Sequence, residues 1–171
     1  MKLLALLLLI VGSVYYFYGN ELIPGHQRRA QAFISFIGEV DNSTVVDTIS
    51  ANRVSAPIVV FIYKSSCITC RFALNDLIDI GRNNPRALIF TISLDHDVYK
   101  LASYLVDKDT PFNPFIYKGE VSNLASALKP FQVTFEEDVP YTVVIDNVGK
   151  KEFSYGFSYH DRIDQHLKTF K

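Results

Sequence analysis

The chain has 171 residues, of which 49% are hydrophobic and 20% are charged. This length and composition predict one globular domain with a sizeable core and an appendage, so a disordered chain is not expected. The 17 basic and 18 acidic side chains leave a net charge of -1. The chain as a whole therefore has no electrostatic attraction to nucleic acid, and we expect no nucleic-acid partner.

The N-terminal appendage is an uncharged run from Leu3 to Tyr18. As a helix this run rises about 24 Å, which is slightly short for a bilayer core, but the tyrosines near its end suit the headgroup level. We predict a transmembrane helix over residues 1–19 that holds the chain in the lipid bilayer. Lys2 then lies on the cytoplasmic side and the rest of the chain lies outside. The alternative is a cleaved signal peptide that ends near Val11–Ser13.

Residues 20–42 are predicted to be a connector in which residues 28–37 can form a short helix, and residues 43–171 a folded domain in which helical and strand patterns alternate. Ser43 is a candidate N-cap for the first helix of this domain, and Ser158 a candidate N-cap for the last. The run APIVVFIY (56–63) is continuously apolar, β-branched and aromatic, which is typical of a buried central strand. The predicted helices are 43–52, 67–82, 97–106, 120–128 and one that follows residue 158. The predicted strands are 56–63, 87–94, 141–146 and 152–157, with a loop at 110–114.

The two cysteines, Cys67 and Cys70, lie where the first buried strand turns into a helix. Unpaired N–H groups and the positive end of the helix dipole stabilise a thiolate at such a position. Cys70 is three positions after Cys67 along the helix, so both sulfurs lie on one face and can form a reversible disulfide. We therefore expect Cys67 to be the exposed nucleophile and Cys70 to be the resolving thiol.

Other interpretations of the cysteine pair are weaker. A zinc site needs about four ligands, yet there is no second CxxC, and His160 and His166 are spaced so that they point to different faces of a helix. A structural disulfide across so short a loop restricts the unfolded chain very little. Two unpaired cysteines can also pack as small hydrophobes. We predict a redox pair, with no metal and no cofactor.

A second informative segment is Val139-Pro140, directly before the apolar run YTVVI. Proline is tolerated at the entrance of a strand, and the cis form of an X-Pro bond costs only about 0.5–1 kcal/mol. The order of elements, together with Cys67-Ile68-Thr69-Cys70 and Val139-Pro140, resembles the thioredoxin superfamily over residues 43–171. In that family an active-site pair stands at the first motif and a cis-proline facing it at the second. The resemblance implies a thioredoxin-like α/β fold, with a central mixed β-sheet flanked by helices.

The segment VPYTVVIDNVGK and the N-terminal anchor resemble the membrane-anchored thiol-disulfide oxidoreductases of the TlpA and ResA kind. This resemblance implies cysteine-containing protein substrates, such as apocytochrome c or copper-chaperone cysteines, and a membrane-embedded electron donor or acceptor. It places a single-pass protein in the cytoplasmic membrane, with its domain facing the periplasm or cell exterior. It also implies that Cys67 and Cys70 are catalytic and that Val139 and Pro140 bind the substrate.

Three positions depart from the family pattern. Ser66 stands where the family has a tryptophan, Phe61 stands where thioredoxin keeps a buried acid, and Arg71 follows the CxxC where TlpA-like proteins often have an acidic residue nearby. Two other functions therefore stay open. One is a copper-handling module of the Sco type that uses the two cysteines and His96, although the Sco spacing is CxxxC. The other is a non-catalytic module that binds a protein partner through the aromatic loop 112–117.

Overall fold

The computed structural model describes residues 24–156 and 158–170. The predicted membrane helix and the alternative signal-peptide site lie outside these residues. Within the described part of the chain, none of the helices combines the length and the hydropathy needed to span a bilayer.

The described residues form a six-stranded sheet with helices on both faces. The strands are β1 (Gly38–Val40), β2 (Ile58–Tyr63), β3 (Leu88–Ser93), β4 (Pro114–Tyr117), β5 (Tyr141–Ile145) and β6 (Lys150–Phe153). The helices are α1 (His26–Phe33), α2 (Asn42–Asn52), α3 (Ile68–Asn83), α4 (Val98–Leu105), α5 (Val121–Leu128) and α6 (Tyr159–Lys168). Short 3-10 turns cover Ile34–Phe36 and Lys129–Phe131.

The sheet is mixed, with the strand order β1-β4-β3-β2-β5-β6. The first four strands of this order run parallel to their neighbours, whereas β5 and β6 form an antiparallel hairpin. Parallel pairs need a crossover, and here α3 connects β2 to β3. The predicted α/β architecture, a central mixed sheet flanked by helices, is confirmed.

The central strand β2 shows why the sheet is covered on both faces. All six of its side chains are buried. Because successive side chains of a strand point to opposite faces, Val59, Phe61 and Tyr63 pack into the cluster that contains α3 and α6, while the alternate residues pack into the cluster that contains α2 and α5. The continuous apolar pattern of this segment is the pattern of a strand buried on both sides.

The structure corrects the predicted N-cap residue of α2 and confirms the predicted N-cap position of α6. Asp41, not Ser43, is the N-cap of α2, and its carboxylate accepts a hydrogen bond from the backbone N–H of Thr44 at 2.8 Å. This bond, together with those from the Thr44 and Ser43 hydroxyls, lowers the pKa of Asp41 to about 2. Ser158 does occupy the N-cap position of α6, but its side chain makes no capping hydrogen bond.

Two short strands, β1 and β4, were not predicted from the sequence. They pair in parallel at one side of the sheet, with Gly38 opposite Phe115 and Val40 opposite Tyr117. Strand β1 falls in the segment predicted to be a connector, whereas helix α1 and the 3-10 turn after it match the short helix predicted there over residues 28–37. A Cβ on Gly38 would lie 2.5 Å from the Phe115 ring, so glycine allows this close approach. Part of the aromatic segment 112–117 is thus strand rather than loop, and Tyr117 is buried.

Helix α1 is fixed to α4 by His26. The histidine is buried, with Nδ1 2.9 Å from an Asp107 carboxylate oxygen and Nε2 2.9 Å from the Ser103 hydroxyl. Arg29 donates to the other oxygen of Asp107 at 3.0 Å. These polar contacts satisfy a ring that would otherwise be buried without partners.

Candidate active site

The two cysteines lie where β2 passes into α3, at the carboxyl end of the parallel strands. Cys67 has an extended backbone (φ -84°, ψ 120°) and is the N-cap of α3. Its Sγ accepts a hydrogen bond from the backbone N–H of Cys70 at 3.2 Å, the role that a serine or aspartate side chain commonly has at a helix start. The helix N-terminus therefore directs an N–H group at this sulfur, which stabilises negative charge there.

Cys67 and Cys70 are joined in a disulfide, with their Cα atoms 5.2 Å apart. Their exposure differs: Cys67 is partly exposed, whereas Cys70 is 1% exposed. The hydroxyl of Thr69 lies 3.2 Å from the Sγ of Cys67. An incoming sulfur can thus reach Cys67, while Cys70 is shielded by the core.

Val139 and Pro140 lie beside the disulfide and precede β5. The peptide bond between them is cis, and the carbonyl oxygen of Val139 is 3.8 Å from the Sγ of Cys67. In the disulfide state this sulfur has no proton to donate, so the approach is a contact. In the dithiol state the Cys67 thiol has the carbonyl as an acceptor. The structure therefore brings together all four residues that the sequence predicted for the site.

Asp95, directly after β3, anchors the loop that leads to Cys67. Its carboxylate accepts hydrogen bonds from the backbone N–H and the hydroxyl of Ser65, both at 2.9 Å, and from the hydroxyl of Ser93 at 2.6 Å. Asp95 was not among the site residues predicted from the sequence. The position of Asp95 in the sequence could have identified it, because it follows β3, the strand next to β2. The carboxyl ends of these strands form the edge of the sheet where α/β proteins have their functional sites.

Arg71 gives the site a fixed positive charge one helical turn after Cys67. Its Nε donates to the carbonyl oxygen of Ser65 at 2.8 Å, and its guanidinium lies over the Tyr104 ring, 5.0 Å from the centroid. The ammonium of Lys108 lies 4.9 Å from the centroid of the same ring. Burial, and then the charge of Arg71, lowers the pKa of Lys108. The loop before Cys67 is thus held from two sides, by Asp95 and by Arg71.

Phe61 and Tyr63 fill the core below the disulfide, where thioredoxin keeps an acid. Both are fully buried, and their rings stack with centroids 5.2 Å apart. Burial raises the pKa of Tyr63 well above its ordinary value, so this hydroxyl stays neutral. It has no hydrogen-bond partner within the described residues. Phe61 has no ionisable group, so the side chain at this position cannot transfer a proton to or from the cysteines.

A cavity of about 490 Å³ opens beside the disulfide, next to Thr69 and Pro140. Its lining combines carboxylates with aromatic rings, and no lysine, arginine or histidine of the described residues contributes to it. The charged and aromatic side chains of the lining are Glu136, Asp138, Glu152, Tyr141, Phe153 and Tyr155. The cavity could not be predicted from the sequence, because its lining comes from three separate segments of the chain that lie together only in the folded protein.

The histidines are spread over the molecule. His96 is exposed, His160 lies 3.4 Å from its neighbour Asp161, and His166 lies 3.8 Å from Asp146. Burial lowers the pKa of His166. Across residues 24–156 and 158–170 we find no group of three or more His, Cys, Asp or Glu side chains arranged to hold a metal ion.

Comparison with protein-family models gives no match, and neither does comparison with curated proteins. Solved structures do match. A secreted Mycobacterium tuberculosis disulfide oxidoreductase, described as homologous to E. coli DsbE, superposes with a TM-score of 0.53 at 15% identity, over 70% of this chain and 86% of that one. A thioredoxin-family thiol:disulfide interchange protein from Chlorobium tepidum gives 0.57 at 16% identity, over 70% of this chain and 83% of that one.

A thioredoxin-related protein from Neisseria meningitidis serogroup B gives a TM-score of 0.56 at 17% identity, over 70% of this chain and 87% of that one. At such low identities these similarities establish the fold. The predicted thioredoxin-like fold is confirmed.

Proposed function

We propose that this protein is a thiol-disulfide oxidoreductase that exchanges disulfides with cysteine-containing protein substrates. The observation that carries the proposal is the Cys67–Cys70 disulfide at the N-terminus of α3, with one sulfur accessible and the other buried. Such a disulfide closes too short a loop to stabilise the fold by restricting the unfolded chain. Its position at a helix start instead favours a thiolate, which is the reactive form of cysteine.

The proposed reaction proceeds through two exchanges. The Cys67 thiolate attacks a substrate disulfide, a new S–S bond forms, and one substrate sulfur leaves as a thiolate. Cys70 then loses its proton, attacks the Sγ of Cys67 and releases the second substrate sulfur. Two electrons pass from the dithiol to the substrate, and the enzyme ends as the disulfide seen in the structure. Run in reverse, the same steps oxidise a substrate dithiol.

Val139 and Pro140 are proposed to bind the substrate backbone. They precede β5 and lie beside Cys67, so an extended substrate segment that reaches the sulfur also meets the backbone of Val139. Main-chain hydrogen bonds of this kind give affinity without demanding a particular sequence. Side-chain preferences must then come from the surrounding surface.

We further propose that the domain works outside the cytoplasm as a reductase, held in the cytoplasmic membrane by residues 1–19. The uncharged run from Leu3 to Tyr18 supports an anchor, and a disulfide persists more readily in an oxidising compartment. One structural neighbour is a secreted protein. A reductase there needs a membrane-embedded electron donor to regenerate its dithiol. Maturation of cytochrome c or of copper sites is the proposed setting.

A disulfide-reduction assay tests the proposed activity. With dithiothreitol as the electron source, we expect the full chain to accelerate the reduction of insulin disulfides by about tenfold or more over dithiothreitol alone, because a helix-start thiolate reacts faster than a free thiol. The control is a chain with both Cys67 and Cys70 replaced by serine, which should give the uncatalysed rate. Equal rates for the two chains would refute the assignment as an oxidoreductase.

A reporter fused after Lys171 tests the proposed location. Alkaline phosphatase, which needs export to become active, should be active in this fusion, while a fluorescent protein that folds only in the cytoplasm should stay dark. The matched control lacks residues 1–19 and should give the opposite pattern. Fluorescence from the full-length fusion, together with an inactive phosphatase, would place the domain in the cytoplasm.

A further inference from the structure

The cavity of about 490 Å³ borders the proposed reaction centre through two of its lining residues, Thr69 and Pro140. Thr69, which lines it, has its hydroxyl 3.2 Å from the Sγ of Cys67. Pro140, which also lines it, follows the carbonyl that lies 3.8 Å from the same sulfur. A substrate segment whose cysteine reaches Cys67 must therefore place a neighbouring side chain at this cavity.

The charge at the cavity is negative, in a chain whose basic and acidic residues almost balance. Glu152 is paired with Lys150, but within the described residues neither Glu136 nor Asp138 makes an ion pair or a side-chain hydrogen bond. Both carboxylates are exposed. Unpaired like charges at the mouth of a cleft attract a ligand of opposite charge and repel one of the same charge.

The lining of the cavity includes aromatic residues. Tyr141, Phe153 and Tyr155 line it together with Pro140, but Phe153 is 4% exposed and the ammonium of Lys151 lies over its ring, so the partly exposed tyrosines offer the accessible rings. Tyr141 packs on the sheet face that carries α2 and α5, and Tyr155 packs on the face that carries α3 and α6. Burial raises the pKa values of Tyr141 and Tyr155, and the charges of Glu152 near Tyr141 and Asp76 near Tyr155 act in the same direction, so both phenols stay neutral. Aromatic faces accept the aliphatic stem of a long basic side chain and attract its charged end.

We propose that this cavity selects protein substrates that carry a lysine or arginine next to the reacting cysteine. The proposal rests on the proposed oxidoreductase function and deepens it by naming the substrate class. The basic side chain lays its stem along the partly exposed Tyr141, and its charge meets Glu136 and Asp138. The substrate backbone meanwhile lies along Val139, which holds the cysteine sulfur over Cys67.

The test uses three peptides that differ only in the residue next to a single cysteine: lysine, glutamine or glutamate. Each cysteine carries thionitrobenzoate in a mixed disulfide. The reduced enzyme passes two electrons to this bond, ends as the Cys67–Cys70 disulfide and releases one peptide thiol and one thionitrobenzoate, which is coloured. The full chain is used in a nonionic detergent, which adds no charge. The quantity measured is the second-order rate constant with each peptide.

We expect the lysine peptide to react about tenfold faster than the glutamate peptide at low salt, with glutamine in between, and this ratio to fall towards one at about 1 M salt. Replacing both Glu136→Gln and Asp138→Asn should reduce the ratio to about two, since Glu152 remains. The matched control is Asp47→Asn, an exposed carboxylate on α2 that does not line the cavity and should leave the ratio unchanged.

Two results would overturn this inference while leaving the oxidoreductase intact. One is a lysine-to-glutamate ratio near one in the unaltered chain, which needs no variant to fold. The other is a lysine-to-glutamate ratio in the double variant that equals the ratio in the Asp47→Asn control. If none of the three peptides is reduced, the proposed function fails and the substrate preference fails with it.

Discussion

Serine in place of Cys67 is expected to abolish disulfide exchange, whereas serine in place of Cys70 is expected to trap the substrate covalently. The partly exposed Cys67 accepts the N–H of Cys70 at the start of α3, so its thiolate is the group that attacks. Cys67→Ser removes this attacker, and turnover should fall by about 10³-fold or more. Cys70→Ser leaves the attacker without its resolving thiol, so mixed disulfides should accumulate.

The measurement is thiol trapping by acid quench, followed by non-reducing gels of cells that express each variant. Adducts that disappear on reduction should be seen with Cys70→Ser and not with Cys67→Ser. The double-serine chain is the control for unspecific adducts. In the reduced chain, Cys67 should also alkylate faster than Cys70, which is 1% exposed. Equal alkylation of the two thiols and no adduct with Cys70→Ser would refute the division into nucleophile and resolving thiol.

The central part of the fold was predictable because its sequence pattern leaves few alternatives. The segments of β2 and β3 are mainly apolar runs of six residues, the segment of α3 has a helical pattern, and the cysteines mark the junction of strand and helix. The departure at Phe61 was also visible in the sequence, and the structure shows what replaces the acid: a ring stacked on Tyr63. Segments with such clear patterns thus specify the position of the site.

The outer strands could not be predicted because they are short and their partners are distant in the chain. Strand β1 has three residues and β4 has four, one of which is Pro114. Over such lengths a period of two cannot be distinguished from chance. Glycine is needed at position 38 because the Phe115 ring lies against it, and this contact exists only once β1 pairs with β4. Burial of His26 likewise depends on distant residues, because its partners Asp107 and Ser103 are far from it in the chain.

The site was predicted as two motifs, but its surroundings were not. The positions of Cys67 and Pro140 followed from pattern and resemblance. The cavity that we propose as the selector of substrates depends on residues from the loop before β5 and from β6, whose acidic and aromatic side chains are unremarkable in sequence. The carboxylate that anchors the loop before Cys67 comes from the end of a different strand. Site residues that belong to a local motif can therefore be predicted from the sequence, whereas site residues that the sheet brings together from distant segments cannot.

Asp95 gives the second large effect that we expect. Asp95→Ala removes the acceptor of three hydrogen bonds, two from Ser65 and one from Ser93, and both serines are buried. Hydrogen bonds to a charged group contribute about 1.5–3 kcal/mol each, but water can reach this partly exposed site, so we expect a loss of about 3 kcal/mol rather than the sum. Urea unfolding measures this loss.

The same substitution should slow exchange in molecules that remain folded. Ser65 lies two residues before Cys67 and also accepts from Arg71, so releasing it displaces the loop that sets the position of the sulfur. Misplacement of a reacting group by about 1 Å can cost about 100-fold in rate, and we expect a loss of ten- to 100-fold with the insulin substrate. Asp79→Ala, which removes an exposed carboxylate whose only ion-pair partner among the described residues is Arg82, is the control and should change neither quantity appreciably.

Asp95→Asn separates positioning from general stability. Asparagine keeps one oxygen acceptor, while its NH₂ group can only donate. One of the two bonds donated by Ser65 is therefore lost, and Asp95→Asn should recover part of the stability and part of the rate. If Asp95→Ala destabilises the fold while the exchange rate of the folded fraction and the alkylation rate of Cys67 both stay at their original values, Asp95 supports the fold alone. If instead the exchange rate falls with Asp95→Ala and partly recovers with Asp95→Asn, Asp95 positions Cys67 through its hydrogen bonds to Ser65.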